Sequence, residues 1–314
     1  MNKKTFTISV AMPTYNGEKY LREQLDSIYN QTMQPDEVVV VDDCSKDTTL
    51  KILEEYHERY GLKYYVNEKN LGYNKNFEKA ISLCSGDYIA LSDQDDIWFP
   101  NKIEESYNTI RKYPTNVPAL VSSFGQQVNG ELKTVRHEIS AFQTGDWHLQ
   151  LTRYYSQGCT LMMNRALLEY IIPFPADIIY DAYIGLTASM IGNREYIGKA
   201  LMYYRLHGGN SLANKDAAKQ FSAKQQLSYL HAYVPFWYEK EFQYQYLKRL
   251  KKYHEKDFLP ERIPTLESVI RIFEVGKWER LFLFLKLKGP DFKLKVRVTM
   301  GLILKMIFCI DDEY

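Results

Sequence analysis

Tyr88-Ile89-Ala90-Leu91-Ser92-Asp93-Gln94-Asp95-Asp96-Ile97-Trp98 is the stretch on which the reading of this chain turns. The apolar run Tyr88–Leu91 has the length of a buried strand, and Asp93, Asp95 and Asp96 follow it at once. Carboxylates crowded at a strand end repel one another unless a positive group joins them. A hard divalent cation does so through oxygen ligands and commonly keeps phosphate oxygens as its other partners. In open α/β sheets ligands bind just beyond the carboxyl ends of strands. The cluster therefore predicts a metal–phosphate site, against the plainer reading of a solvated acidic turn.

Working back from it, the same unit repeats. Residues 6–12 run apolar into Pro13-Thr14-Tyr15-Asn16-Gly17, and Leu21, Leu25 and Ile28 follow at helical spacing. Glu37-Val38-Val39-Val40-Val41 is a β-branched run typical of a buried parallel strand. Asp42 to Asp47 then form a loop and supply the N-cap of a helix through Leu50, Leu53 and Tyr56. Leu62–Val66 is a third strand, and a helix from about Asn70 to Cys84 leads through Ser85-Gly86-Asp87 into Tyr88. Strand and helix alternate four times, the pattern of an α/β protein with a mainly parallel central sheet and helices on both faces.

Working forward, a helix is predicted with Ile103, Tyr107 and Ile110 on one face, then strands at 119–124, 158–163 and 200–207. Helices are predicted from Asn164 and from about Asp181 to Met190. Residues 126–150 are polar, poorly periodic and unassigned. Beyond 212 the texture becomes helical and rich in Lys and Tyr, which suggests a domain over 1–212 and a helical region over 213–314. Lys286–Lys305 carries six basic side chains and one acid, Asp291, among apolar residues. It reads either as a helix lying on an anionic bilayer or as a packed helix with a solvated Lys face.

With 314 residues, 45% of them apolar, the chain has material for a real core, and its net charge of +1 gives no pointer to nucleic acid. Cys44, Cys84, Cys159 and Cys309 are far apart, which predicts free thiols in a reducing compartment. The opening apolar run stops at Pro13, too short for a signal peptide, and no stretch reaches the roughly 18 apolar residues of a spanning helix. A cytoplasmic protein is expected, with attachment to the inner face of the plasma membrane as one reading of the basic segment. No G-x-G-x-x-G follows the first strand, which argues against a dinucleotide-binding dehydrogenase.

Four motifs recur in order: Val10-Ala11-Met12-Pro13-Thr14-Tyr15-Asn16, Val41-Asp42-Asp43-Cys44-Ser45, Asn70-Leu71-Gly72 and Asp93-Gln94-Asp95-Asp96. Together they resemble the inverting glycosyltransferases of the large family 2, which have the GT-A fold. Ser92–Trp98, Gly158-Cys159-Thr160 with Asn164-Arg165, and Tyr204-Arg205-Leu206-His207-Gly208 are similar to bacterial rhamnosyltransferases of cell-wall and capsular polysaccharide synthesis. The resemblance covers roughly residues 6–212. Each motif alone is weak; the ordered set is specific.

The chemistry agrees. Transferring a sugar from a nucleoside diphosphate leaves two charged phosphates, and a cation stabilises that charge without a proton. Asp95 is the expected direct ligand of Mg²⁺ or Mn²⁺. The resemblance implies that Asp93 holds the ribose or a metal-bound water, that Asp43 accepts from the pyrimidine N–H, and that Tyr15 lies against the base. Pro13 and Gln94 complete that nucleotide-sugar set, with Asn70 and Asn76 as phosphate or sugar contacts; a turn with positive φ is the other reading of Asn70-Leu71-Gly72. Asp42 is read as a helix cap, and Asp96 as an acid that orients a helix start. His207 is read as a metal ligand or a packed histidine. Arg205, two residues earlier on the same strand face, would sit beside the diphosphate. Trp98 offers a face for stacking the acceptor sugar or seals the core.

An inverting transfer needs a base for the acceptor proton. By resemblance this is Asp181, although related chains often have His-Asp-Trp where this one has Tyr180-Asp181-Ala182. The favoured expectation is transfer of L-rhamnose from dTDP-β-L-rhamnose to a lipid-linked saccharide. A UDP-glucose or UDP-galactose enzyme on the same fold is the nearest rival, and a silent nucleotide-sugar-binding or scaffold relative is the rival from another class.

Overall fold

The computed structural model of the chain describes residues 5–136, 151, 157–176, 178–207, 240–275 and 277–286. Strands β1 (Ile8–Thr14), β2 (Glu37–Asp42), β3 (Lys63–Val66) and β4 (Tyr88–Leu91) alternate with helices α1 (Leu21–Tyr29), α2 (Thr49–Tyr60) and α3 (Tyr73–Leu83). β1 pairs in parallel with β2 on one side and β4 on the other, and β2 pairs in parallel with β3. Because the chain steps outward to β3 and then returns across β1 to β4, the order reverses between β1 and β4. A crevice at such a reversal is where open α/β sheets bind ligands.

The sheet continues through β5 (Ile97–Trp98), β6 (Ala119–Asn129), β7 (Thr134–Arg136), β8 (Leu161–Asn164) and β9 (Asn193–Leu206), in the order β3-β2-β1-β4-β8-β6-β9-β5 with β7 on β6. Here the expectation of a mainly parallel sheet needs refinement. β8 runs antiparallel to both β4 and β6, and β5 and β7 are antiparallel additions, so the sheet is mixed. Part of the unassigned 126–150 stretch is explained as well. Residues 126–129 extend β6, and the chain returns as β7; residues 137–150 lie outside the described set, as do 208–239 and 287–314, which hold most of the basic 286–305 segment.

β1 and β2 are buried almost throughout because they are flanked by strands and covered by helices. α1 buries Leu21, Leu25 and Ile28, α2 buries Ile52, Leu53 and Tyr56, and α4 (Lys102–Ile110) buries Ile103, Tyr107 and Ile110 against one core. α5 (Arg165–Ile171) and α6 (Tyr180–Ile191) follow β8. Gly158 has no room for a side chain, since a Cβ would lie 1.7 Å from the Tyr180 hydroxyl.

The chain divides into two compact units, 1–145 with 155–188 and 192–213, and 146–154 with 189–191 and 214–314. In the second, α7 (Lys240–His254), α8 (Ile263–Glu274) and α9 (Lys277–Lys286) bury Leu247, Leu250, Leu266, Val269 and Ile272. No helix among the described residues is long and apolar enough to cross a membrane.

Candidate active site

The strand ends that meet at the β1/β4 reversal carry most of the residues singled out by sequence. Gln94 joins the two strands: its side-chain Oε1 accepts from Tyr15 N (2.9 Å) and its Nε2 donates to Tyr15 O (3.0 Å). The Tyr15 ring is left 49% exposed, free to lie against a flat ligand, while Pro13 is half-buried at the end of β1. Ser92 is buried and held by Gln24 Nε2 (2.7 Å), so the turn into Asp93 starts from a fixed point.

At the end of β2 the two aspartates are occupied differently from expectation. Asp42 does not cap α2. Its Oδ1 accepts from Ser45 N (2.9 Å) and its Oδ2 from Thr14 Oγ1 (3.0 Å) and the Ser45 hydroxyl, which folds the 42–45 loop onto β1. The acid at the start of α2 is Asp47, which accepts from Thr49 N (2.9 Å). Asp43 is buried and accepts from Asn67 Nδ2 (2.8 Å), Leu71 N (2.7 Å) and Gly72 N (2.9 Å). Asn70 shapes the same loop, donating to Asp43 O (3.1 Å) and accepting from Gly72 N, while Gly72 has φ of 78°. The turn reading of this motif is therefore the structural one. Asn76 is corrected outright: it is buried, donates to Val41 O (2.8 Å) and accepts from Asn67 Nδ2 (2.9 Å), so both ends of its amide are bonded within the protein. Asn67, which sequence reasoning passed over, is the hub of this corner.

The acids after β4 are crowded and poorly satisfied. Carboxylate oxygens of Asp93 and Asp96 and the Cys159 sulfur lie within 4.8 Å of one another. Burial, with Asp95 and Asp181 as neighbouring charges, pushes Asp93 up to about 7. Asp96 is fully buried, and burial with Asp93 and Asp95 beside it raises its pKa strongly. Its Oδ1 accepts from Arg205 N (3.1 Å), whereas its Oδ2 has no hydrogen-bond partner among the described residues. Asp96 thus orients no helix start; α4 begins six residues later. An unsatisfied carboxylate oxygen in an acidic cluster suits a cation.

Asp95 turns the other way and meets His207, whose Nε2 lies 2.8 Å from Asp95 Oδ2. That spacing matches two ligands on adjacent positions of one metal ion as well as it matches a hydrogen bond. The Asp95–His207 pair therefore fits two ligands of a divalent cation, while Asp93 is grouped with Asp96 and Cys159 among the described residues.

One cationic side chain and one ring depart from expectation, and a second cation was not foreseen. Arg205 does not face a diphosphate. Its side chain is 2% exposed; Nε donates to Asp95 O (2.9 Å), one terminal nitrogen to Gly130 O (3.1 Å) and the other to the Glu23 carboxylate. Trp98 presents no acceptor face, being 2% exposed in the core with the Lys102 ammonium 4.8 Å from its ring centre. Lys102 itself was invisible to sequence reasoning, its only signal being a place just ahead of the apolar stripe of α4. It is buried, donates to Cys159 O (3.0 Å), and is lowered to about 8 by burial, which outweighs the opposing pull of Cys159, Asp96 and Asp93.

Asp181 sits in the first turn of α6, where its carboxylate accepts from Ala182 N (2.8 Å) and Gly158 N (3.2 Å). Asn74, at the start of α3, accepts from Tyr180 N (3.0 Å) and donates to Ile178 O (2.7 Å), fastening this helix start beside the Asp43 loop. Phe77 stacks on Tyr180 at 4.0 Å. The charge of Asp181 reaches both Asp93 and Tyr73.

Comparisons with known proteins agree with this architecture. The family model "Glycosyl transferase family 2" matches residues 9–171, just over half of the chain. Chondroitin synthase of Escherichia coli is 34% identical over 230 residues, 68% of this chain and 31% of that protein, so the chain spans about a third of that relative's length. Staphylococcus aureus TarS 1–349, solved in complex with UDP-GlcNAc, superposes with a TM-score of 0.57 at 20% identity over 96% of this chain and 92% of the other. The mannosyltransferase PcManGT of Pyrobaculum calidifontis, solved with GDP-Man and Mn²⁺, does so with a TM-score of 0.57 at 15% identity over 98% and 89%. These two show a shared fold. With the matched family covering β1 through α5 and the fold that goes with it, the chain belongs to glycosyl transferase family 2.

Proposed function

We propose that the chain is a metal-dependent inverting glycosyltransferase that moves a sugar from a nucleoside diphosphate to a saccharide hydroxyl. The observation that carries this reading is the convergence of Asp43, Asp93, Asp95, His207 and Asp181 on one end of a single sheet. A divalent cation held by Asp95 and His207 would supply positive charge to the departing diphosphate. Tyr15 lies against the base, and the loop built around Asp43 bounds the nucleotide. Asp181 takes the proton from the acceptor hydroxyl as that oxygen bonds to the anomeric carbon. The bond from that carbon to the diphosphate breaks on the opposite face, its electron pair leaves with the phosphate, and the configuration inverts.

The donor we propose is dTDP-β-L-rhamnose, giving an α-linked product, on the strength of the motifs around Asp93, Gly158 and Arg205. A lipid-linked saccharide acceptor at the inner face of the membrane is proposed from the basic 286–305 segment alone. The test is donor binding and hydrolysis with dTDP-L-rhamnose, UDP-glucose and UDP-galactose, with and without Mn²⁺ or Mg²⁺. Cation-dependent turnover of dTDP-L-rhamnose, lost in Asp95→Ala, supports the reading. A response confined to a UDP-sugar overturns the rhamnose assignment, and cation-independent turnover overturns the metal.

A further inference from the structure

We infer that Tyr20, Glu23 and Arg205 form a clamp that positions Asp95 and His207 for the cation; this rests on the proposed metal-dependent function. Arg205 grips the Asp95–Asp96 turn at two points, its Nε donating to the main-chain Asp95 O (2.9 Å) and its backbone N to the side-chain carboxylate of Asp96 (3.1 Å). With those two points fixed, the Asp95 carboxylate is held toward His207. The guanidinium is in turn fixed from three directions: the Glu23 carboxylate, Gly130 O at the tip of the β6–β7 hairpin, and the face of Tyr20 at 4.3 Å. The same Tyr20 ring lies 4.9 Å from the His207 ring, so one aromatic side chain at the start of α1 braces both residues of the β9 end.

A planar fork that makes bonds in several directions and rests on a ring is specific to arginine. Groups that orient metal ligands commonly change metal affinity about 10- to 100-fold when lost. Arg205 and Glu23 are thus positioning residues. Glu23 is the informative one to change, since its side chain is 54% exposed and its truncation opens no core cavity.

The experiment is calorimetric titration of Mn²⁺ into the full chain without donor, with thermal melts of each variant. Glu23→Ala is expected to raise the Mn²⁺ Kd about 10-fold, with Glu23→Asp recovering part of the loss and Arg205→Lys behaving like Glu23→Ala. Glu55→Ala, which breaks the exposed ion pair between Arg22 of α1 and Glu55 of α2, leaves the Kd unchanged. A wild-type Kd in Glu23→Ala, with binding abolished in Asp95→Ala, overturns the clamp and leaves the metal reading standing. Wild-type protein that binds no Mn²⁺, or Asp95→Ala that still binds it, overturns both. Should Arg205→Lys fail to fold, Glu23→Ala decides alone.

Discussion

Two acidic corners face each other across β1, and they are built on opposite principles. At the end of β2, Asp42 and Asp43 each accept three hydrogen bonds from protein donors, so their charge is used up in shaping loops. At the end of β4, Asp93 and Asp96 are held close together, with one Asp96 oxygen lacking a partner among the described residues and both groups driven toward protonation by burial and mutual repulsion. A satisfied carboxylate stabilises a fold, and an unsatisfied one stores a demand for positive charge. The first corner is a scaffold, one that bounds the nucleotide in the function proposed above; the second has the chemistry of a metal site. Lys102 answers part of that demand from beneath, through the protein interior.

The comparison can be broken most severely at the residue that belongs to neither corner. Asp181→Asn is expected to lower kcat about 10²- to 10⁴-fold while donor affinity stays near wild type, as measured by steady-state transfer and by donor titration. A donor Kd that weakens in parallel would make Asp181 a binding residue instead.

The two corners should then part company in stability. Asp42→Asn puts an amide where donors converge and should cost about 3 kcal/mol in denaturant unfolding. Asp96→Asn, in metal-free protein, keeps an acceptor for Arg205 N while removing a crowded charge, and should cost under about 1 kcal/mol or stabilise. Equal losses would erase the distinction drawn here.

A third carboxylate, Glu37 at the start of β2, sharpens it through pH. Burial raises its pKa, but hydrogen bonds from Lys63, Ser9 and Ser85 outweigh that and lower it to about 2. A group depressed in the folded state contributes stability that is complete above its unfolded value and is lost as pH falls through the folded one. The stability difference between wild type and Glu37→Gln, about 2 kcal/mol at neutral pH, should therefore shrink between about pH 4.5 and 2 in chemical denaturation series. The smallest effect is expected at Trp98. Trp98→Phe should leave the acceptor KM unchanged and cost about 1 kcal/mol, since the ring fills core while its Nε1 has no partner among the described residues. A raised acceptor KM would restore the stacking role that burial denies it.

Legibility followed the range of the interaction. The strand Tyr88–Leu91 and the helix faces of α1, α2 and α4 depend on neighbours within a turn or a pleat, and their periodicity is written in consecutive residues. The long β9 and the β6–β7 hairpin were partly missed because their polar, irregular segments are stabilised by strands far along the chain.

Consecutive residues alone carry the alternation of β-branched and apolar runs with amphipathic helices, and the clustering of acids where strands end. They also carry the ordered motifs that mark the family. Where each of those polar side chains turns was settled by the folded sheet. Arg205 was expected at a diphosphate and is instead held by Glu23, 182 residues away; Asp95 finds His207 at a separation of 112. Asn76 is drawn inward by the main chain of β2, 35 residues back, and Lys102 is buried through a bond to Cys159, 57 residues on. The physical reason is that a polar side chain turns to whichever partner offers the better hydrogen bonds once water is excluded, and those partners are brought near only by the folding of the sheet.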